Sequence, residues 1–596
     1  MPHAEVDETG EQIHVATTFT DRQLMLMVPG AGFNKKFDGW FAPLTWSTCV
    51  ILKGLFGDRI TYGDGLKAWS WNEWHNRVQP ANEMRTVLRE QDVNVGPEHK
   101  LIFDTIDQIE KSGMNPNGYR LYPYQRVDVA FLVVNGRALL ANEPGLGKTG
   151  VAIRTLQVLA RLNRAPFPAV VVCPNSLKTT VWQKEFETWA PHLKAVVVDG
   201  GVAQRRKALA SGAEVFIINW ESARLHTRLA GYGSLELTEK QKERKELNDL
   251  GIRTAIFDEV HRATDPKSQQ TRAAWQIAQD AHYCFAMTGT PVTNNVGNVW
   301  SLLHLVEPNW FPAKTRWMDR YVRLAPNFYG GSTVVGLEPA HAEELHKVID
   351  PLIRRVPKTL ALPQLPKKLP IQYRETPMTP GQKKAYTQME QLMVAQLDEG
   401  IITAGNALAK LTRLSQFASA TAYLDEDENV RLKAPSNKVD DLVELLEDMG
   451  DESLVVGAES RQLIELAAEK LTSIGVTNVS ITGAQSVDER RKNVDAFQAG
   501  KARVILCTLG AGAEGLTLTK ASTLLFLQES YSYVKNLQFS DRIHRIGQEA
   551  EFVRILVQIT PGTIDERRIE ILGGKNAQAQ EILRDVDTIK KLLGAK

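Results

Sequence analysis

The sequence predicts an α/β protein built from two parallel-sheet blocks, with a helical segment between them and a smaller, different domain in front. Three observations carry that expectation. From about Tyr119, short β-rich apolar runs alternate with longer helical stretches: AVVVCP, EVFIINW, TAIFDEVH and CFAMTGTP. Each run is continuously apolar, as strands buried on both faces of a parallel sheet are, and each ends in polar or turn residues. The alternation lapses over residues 301 to about 435, which read as helical around the proline-rich ALPQLPKKLP, and resumes with SLVVGAES, NVSITG, ARVILCT, STLLFL and VRILVQIT. In open α/β sheets ligands lie beyond the carboxyl ends of the strands, which is where the polar residues of these runs fall.

A chain of 596 residues is too long for one core. The expected divisions are 1–105, 106–300, 301–435, 436–570 and a helical tail at 571–596. Hydrophobic content of 43% and charged content of 24% are ordinary for a soluble globular protein. The longest apolar runs, such as VAFLVV, fall far short of the roughly 20 residues that span a bilayer, so no membrane partner is expected. The acidic, polar start MPHAEVDETGEQ resembles neither a secretory signal nor a transit peptide. Cys49, Cys173, Cys284 and Cys507 are scattered with no CxxC pair. That argues against zinc or a disulfide framework and fits a reducing compartment, the cytoplasm or, in a eukaryote, the nucleus. A net charge of +1 neither indicates nor excludes a basic groove for nucleic acid.

The first chemical signal is NEPGLGKTG, residues 142–150, between the apolar ALLA and the helical VAIRTLQVLA. It matches the phosphate-loop pattern GxxxxGKT except at its first position, Asn142. Gly145 and Gly147 let backbone N–H groups curl around phosphate oxygens. Lys148 would reach the β/γ-phosphates, the Thr149 hydroxyl would ligate Mg²⁺, and the next helix would point its positive end at the phosphates. A strand–turn–helix that merely needs glycines is the alternative. The second signal is AIFDEVHRATD, with Asp258 and Glu259 at a strand end. One acid there would hold Mg²⁺ and the other would orient and deprotonate water. The third is AMTGTP, where Thr288, Gly289 and Thr290 suit the relay of a change at the γ-phosphate, or form an ordinary turn.

The second block carries a glycine-rich loop, TLGAGAEGLTLTKAS, that includes Gly515, and the segment QFSDRIHRIGQ, which opens on Gln538. If that segment is helical, Arg542 and Arg545 share a face and point at one site. The leading 105 residues are rich in tryptophan (Trp40, Trp46, Trp69, Trp71, Trp74) and hold no nucleotide signature. Aromatics beside basic residues suit stacking on unpaired bases, although tryptophans more often build a core.

NEPGLGKT, FDEVHRATD, MTGTP, GAEGLTLTKAS and QFSDRIHRIGQ, in this order, resemble the motif series of helicase superfamily two, and more narrowly the Snf-type ATPases of chromatin remodellers and DNA-repair translocases. LYPYQ, VVCPNSLKTTVWQKEFETW, LIRRVPKTLALPQLPKK and ITGAQSVDERRKNVDAFQAG support the narrower match, which spans about residues 119–570. The resemblance implies two RecA-like lobes that bind ATP and Mg²⁺ and lie on double-stranded or branched DNA. It implies that Gln125 reads adenine, that Lys148 binds phosphates, that Thr149 and Asp258 hold Mg²⁺, and that Glu259 is the base. Arg542 and Arg545 would be arginine fingers; Thr288, Gly289, Thr290, Gly515 and Gln538 would couple the nucleotide to DNA. The expected activity is DNA-dependent ATP hydrolysis driving translocation in replication, repair or recombination.

Asn142 stands where the family's loop usually opens on an acid, DEVH replaces the commoner DEAH, and LVVGAES departs from the usual wording. An RNA helicase or restriction-type motor, and a clamp without turnover, remain as alternatives.

Overall fold

The computed structural model describes the chain except residues 95, 234–235, 294, 327–331, 393, 398–399, 404–406, 513–515 and 584–596. It begins with short strands: β1 (His3–Val6), β2 (Gln12–Ala16), β3 (Gly32–Asn34), β4 (Gly39–Pro43) and β5 (Thr61–Tyr62), in the order β3-β4-β2-β1-β5. The β2 sequence QIHVA turns Ile13 and Val15 inward at period two. They meet Ala4, Trp40, Ala42, Ile51, Leu52, Phe56 and Leu66, four of them from the helix Trp46–Phe56 and the segment after it. The Thr45 side chain caps that helix by accepting from the Thr48 amide. The five tryptophans divide: Trp40 is buried, Trp46 and Trp69 are half-buried, and Trp71 is 60% exposed and Trp74 37%.

Residues beyond this small core belong to the next. Ala81, Met84, Ile102, Phe103, Ile106 and Ile109 share one hydrophobic cluster with Val127, Phe131, Val151 and Leu156. The expected limit at residue 105 is therefore corrected. The N-terminal core ends near Leu66, and the helices Gln79–Arg85 and Pro97–Lys111 complete the first α/β block. The helix PEHKLIFDTIDQIEK is amphipathic, and its apolar stripe of Ile102, Phe103, Ile106 and Ile109 is buried in that cluster.

The chain forms two units, Met1–Ala361 together with the described residues from Ala577 on, and Leu362–Asn576. In the first, β6 (Arg137–Leu140), β7 (Ala169–Cys173), β8 (Ala195–Val198), β9 (Val215–Asn219), β10 (Thr254–Asp258) and β11 (Tyr283–Met287) are followed by the hairpin β12 (Val322–Pro326) and β13 (Ser332–Leu337), and by β14 (Ile353–Arg354). The main sheet is parallel throughout, in the order β14-β6-β11-β10-β7-β9-β8. Alternate residues feed its two faces: Val170, Val172, Ala255, Phe257, Cys284 and Ala286 on one, and Val171, Cys173, Ile256, Phe285 and Met287 on the other. This explains the unbroken apolar runs.

The second unit holds β15 (Lys367–Lys368), β16 (Gln372–Glu375), the hairpins β17 (Val394–Leu397) with β18 (Gly400–Thr403) and β19 (Thr421–Leu424) with β20 (Val430–Lys433), then β21 (Leu454–Ala458), β22 (Asn478–Ile481), β23 (Val504–Thr508), β24 (Thr523–Phe526) and β25 (Phe552–Ile559). Its parallel sheet runs β25-β24-β21-β23-β22, with β15 and β16 both pairing β25. Leu454, Val456, Leu506 and Leu525 face one core and Val455, Ile505, Leu524 and Phe526 the other. Ser436, Ser460, Ser486 and Ser532 each cap a following helix through the side-chain oxygen.

Residues 301–435 are not the uniform helical insertion that the sequence predicts. Helices such as Lys314–Tyr321, Ala342–Ile349 and Pro380–Leu392 are present, but so are β12 to β20. Short runs such as STVVGL and TAYL pair with near neighbours, and Ile353–Arg354 adds to the sheet edge at β6, a partner more than two hundred residues away. The expected tail at 571–596 lies partly in the helix Ile564–Leu583, whose Ala579, Ile582 and Leu583 join the first unit's core; the remainder falls outside the described residues.

A chain beginning at residue 106 loses Ala81, Met84, Ile102 and Phe103 from the first unit's core. It is expected to be insoluble or to melt without cooperativity by circular dichroism, and a soluble, cooperatively melting truncation would show those helices to be dispensable.

Candidate active site

Three neighbouring strands, β6, β11 and β10, deliver the three sequence signals to one edge of the first sheet. The glycine loop follows β6. Gly145 and Gly147 take φ of 87° and 70°, the left-handed region that suits glycine. A Cβ on Gly147 would collide with Gln125 Nε2, so the glutamine amide lies against the loop. That amide donates to the Leu146 carbonyl (3.1 Å), as does the Tyr124 hydroxyl (3.1 Å), while Gln125 Oε1 accepts from the Tyr122 amide (2.9 Å). Lys148 opens the helix Lys148–Arg161, whose first-turn N–H groups have no partners within the helix. Its ammonium donates to the carbonyls of Asn142 (2.8 Å) and Glu143 (3.2 Å). Burial lowers the Lys148 pKa, against the pull of the nearby Glu259 and Asp258 carboxylates. Thr149 is half-buried beside it.

At the end of β10, Asp258 is nearly buried. Trp182 Nε1 donates to one carboxylate oxygen (2.9 Å), the Glu259 amide to the other (3.0 Å), and Trp220 Nε1 to the Asp258 carbonyl (3.0 Å). Burial first, and then the Glu259 charge, push the Asp258 carboxyl up to about 6. Glu259 itself sits at φ 51°, ψ 49°, a left-handed conformation that costs a non-glycine residue energy and marks sites where geometry is imposed. His261 Nδ1 lies 3.2 Å from Glu259 Oε2 and 3.0 Å from Thr288 Oγ1, and the Thr290 amide donates to Thr288 Oγ1 (3.1 Å). Gly289 closes the ring: a Cβ there would stand 2.6 Å from the Pro144 ring of the loop. Gln125, Gly145, Gly147, Lys148, Thr149, Asp258, Glu259, Thr288, Gly289 and Thr290 thus gather at one sheet edge.

Reasoning from spacing did not single out Asp128, Trp182, His261, Arg354 or Arg355. Arg354 is fully buried and pairs with the equally buried Asp128; it also donates to the carbonyls of Met84, Val87 (3.1 Å) and Tyr124 (3.4 Å). Arg355 donates to the carbonyls of Ala141 (2.7 Å) and Gly289 (3.1 Å) and pairs with Glu143 (3.3 Å). The available signal was two adjacent arginines inside the apolar LIRRV.

In the second unit the expected shared helix face is corrected. The helix Tyr533–Ser540 carries the buried Gln538 and ends before Arg542 and Arg545, which lie in a turn and in the bend that follows it. The Arg542 carbonyl accepts from the Leu518 amide (3.0 Å), which takes it out of helical register, and its guanidinium donates to the Leu516 carbonyl (3.2 Å). Arg545 Nε donates back to the Asp541 carbonyl (3.2 Å). Gly515 lies outside the described residues. Among the described residues no cluster of three or more His, Cys, Asp or Glu could hold a metal, and no helix is long and apolar enough to cross a membrane.

Comparison with known proteins matches residues 69–423 to the SNF2-related domain and residues 437–547 to the helicase conserved C-terminal domain. A putative ATP-dependent helicase/translocase of Bacillus subtilis is 26% identical over 485 residues, 79% of this chain and 50% of that protein. An uncharacterized ATP-dependent helicase of Mycoplasma genitalium is 24% identical over 76% of this chain and 41% of its own length. The ISWI chromatin-remodeling complex ATPase of Saccharomyces cerevisiae is 24% identical over 78% and 40%. The chain therefore spans about half the length, or less, of these relatives. Among solved structures, the Sulfolobus solfataricus SWI2/SNF2 ATPase core in complex with dsDNA aligns at 20% identity and a TM-score of 0.37, over 79% of this chain and 94% of that one. With one family model covering more than half of its residues and a helicase C-terminal domain following it, the chain belongs to the SNF2-related family.

Proposed function

We propose that this protein is an ATP hydrolase that couples turnover to movement along, or remodelling of, duplex or branched DNA, in the service of replication, repair or recombination. The observation that carries the reading is the convergence of Lys148, Asp258, Glu259 and the Thr288–Thr290 turn on one glycine loop, from three adjacent strand ends. Family membership and relatives named as ATP-dependent helicases support it.

The chemistry follows from that arrangement. Backbone amides of residues 145–149 cradle phosphate oxygens, Lys148 leaves its carbonyl partners for the β/γ-phosphates, and Gln125, already held against the loop, reads the base. Asp258, buried, and Glu259, half-buried, place two carboxylates side by side, a donor set that fits a cation. Thr149 and Asp258 would hold Mg²⁺, which supplies charge neutralisation at the phosphates. Glu259 accepts the proton of the attacking water. His261 and Thr288 link that base to the turn packed on the loop, a route by which the state of the nucleotide reaches the rest of the lobe, with Gln538 and Gly515 serving the same coupling in the second unit. Arg542 and Arg545 serve as arginine fingers that stabilise transition-state charge.

ATP hydrolysis measured with duplex DNA, single-stranded DNA and RNA tests the proposal. Duplex DNA is expected to stimulate most; equal stimulation by RNA, or no hydrolysis with any of them, contradicts it. In the same assay Glu259→Gln is expected to keep nucleotide binding while losing at least about a hundredfold in turnover. Lys148→Ala is expected to lose both binding and turnover. For the fingers, Arg545→Ala is expected to bind nucleotide almost normally yet turn over slowly. Arg545→Lys should not rescue it, because lysine keeps the charge but not the planar fork; wild-type turnover in either variant would remove Arg545 from the mechanism.

A further inference from the structure

The loop that opens on Asn142 instead of glycine is held by a buried network. Asn142, Asp128 and Arg354 are each 0% exposed. Asn142 Nδ2 donates to Asp128 Oδ2 (2.7 Å), and Asn142 Oδ1 accepts from the Val356 amide (2.9 Å). The other Asp128 oxygen pairs with Arg354. The amide is thus read on both sides, as a donor toward a carboxylate and an acceptor toward a backbone N–H. A carboxylate at 142 could serve Val356 but would face Asp128 at hydrogen-bond distance with no proton between them. An aliphatic residue would leave both partners unmet in a dry site.

A second arm holds the next residue. Glu143 accepts from the Lys358 amide (2.8 Å), pairs with Arg355 (3.3 Å), and its own amide donates to the Val356 carbonyl (3.3 Å). The Ala141 amide donates to the Arg354 carbonyl (2.7 Å). Residues 354–358 therefore clamp residues 141–143, the half of the loop that has no left-handed glycine. The carbonyls of Asn142 and Glu143 are the ones that Lys148 grips.

We infer that Asp128, Asn142 and Arg354 are positioning residues that set the phosphate loop and, through it, Lys148, and that the site admits one carboxylate and one amide between positions 128 and 142. The inference rests on the reading of this loop as the ATP site. One buried guanidinium balances one carboxylate; which of the two positions carries it is exchangeable, whereas two carboxylates or none are not tolerated.

The test uses the full-length chain, a fluorescent ATP analogue with Mg²⁺, and thermal unfolding. Asp128→Asn and Asn142→Asp are each expected to weaken analogue binding at least about tenfold and to lower the unfolding midpoint. The exchanged double variant, Asp128→Asn with Asn142→Asp, is expected to return to within about threefold of wild-type affinity, because the two losses share one cause. A double variant no better than the worse single variant overturns the inference, and so do single variants that melt early but bind the analogue normally below their midpoints. A wild-type chain that does not bind the analogue overturns the ATP reading itself, a failure visible without any variant.

Discussion

The first unit depends on a guanidinium that water never reaches. A charge at the position of Arg354 is costly unless every donor is matched, and the matching draws in elements from across the sequence. Asp128 comes from the helix that carries Gln125; the carbonyls of Met84 and Val87 come from the segment before it; and the Arg354 backbone itself completes the sheet edge beside β6. One residue thus ties the helix Gln79–Arg85 and the chain just after it, the Gln125 helix and, through Asp128, the start of the phosphate loop to a strand contributed from the other end of the unit. Together with the apolar cluster that Ala81, Met84, Ile102, Phe103, Ile106 and Ile109 share with the sheet's helices, this places the helices Gln79–Arg85 and Pro97–Lys111 in the first α/β block.

On that framework the parallel sheet does what parallel sheets do. Every strand points its polar terminus to the same edge, so three neighbours suffice to assemble loop, carboxylates and hydroxyls. The contacts among them are tight. Gly289 exists as glycine because Pro144 occupies the space of a side chain, and the Glu259–His261–Thr288 chain crosses between two strand ends within hydrogen-bond distances. The loop and the MTGTP turn are therefore in direct contact.

Much of this was legible in the sequence for a local reason. AVVVC, VFIIN, TAIFD and YCFAM announce buried parallel strands by composition, and glycine, lysine and paired acids at their ends announce chemistry by spacing. What was not legible is non-local. The partners of Arg354 lie more than two hundred residues away, as do the Ala141 and Glu143 partners of Arg355, and nothing in LIRRV says which carboxylate it will meet. Trp182 reads as one more core tryptophan until its N–H is found on Asp258. The conformation at Arg542 and Arg545 escaped because helical spacing was extended past Ser540, where the helix ends; two residues on, the Arg542 carbonyl bonds to the glycine-rich loop instead. The hairpins within 301–435 escaped because each is a short local ribbon set among genuine helices.

The most direct measurement of the central claim is a crystal structure of the chain with Mg²⁺ and a non-hydrolysable ATP analogue. The account predicts the triphosphate over the amides of residues 145–149, Lys148 released from the Asn142 and Glu143 carbonyls onto the phosphates, and a cation between Thr149 and Asp258. A nucleotide bound elsewhere, or Lys148 still gripping those carbonyls at saturating nucleotide, would contradict it.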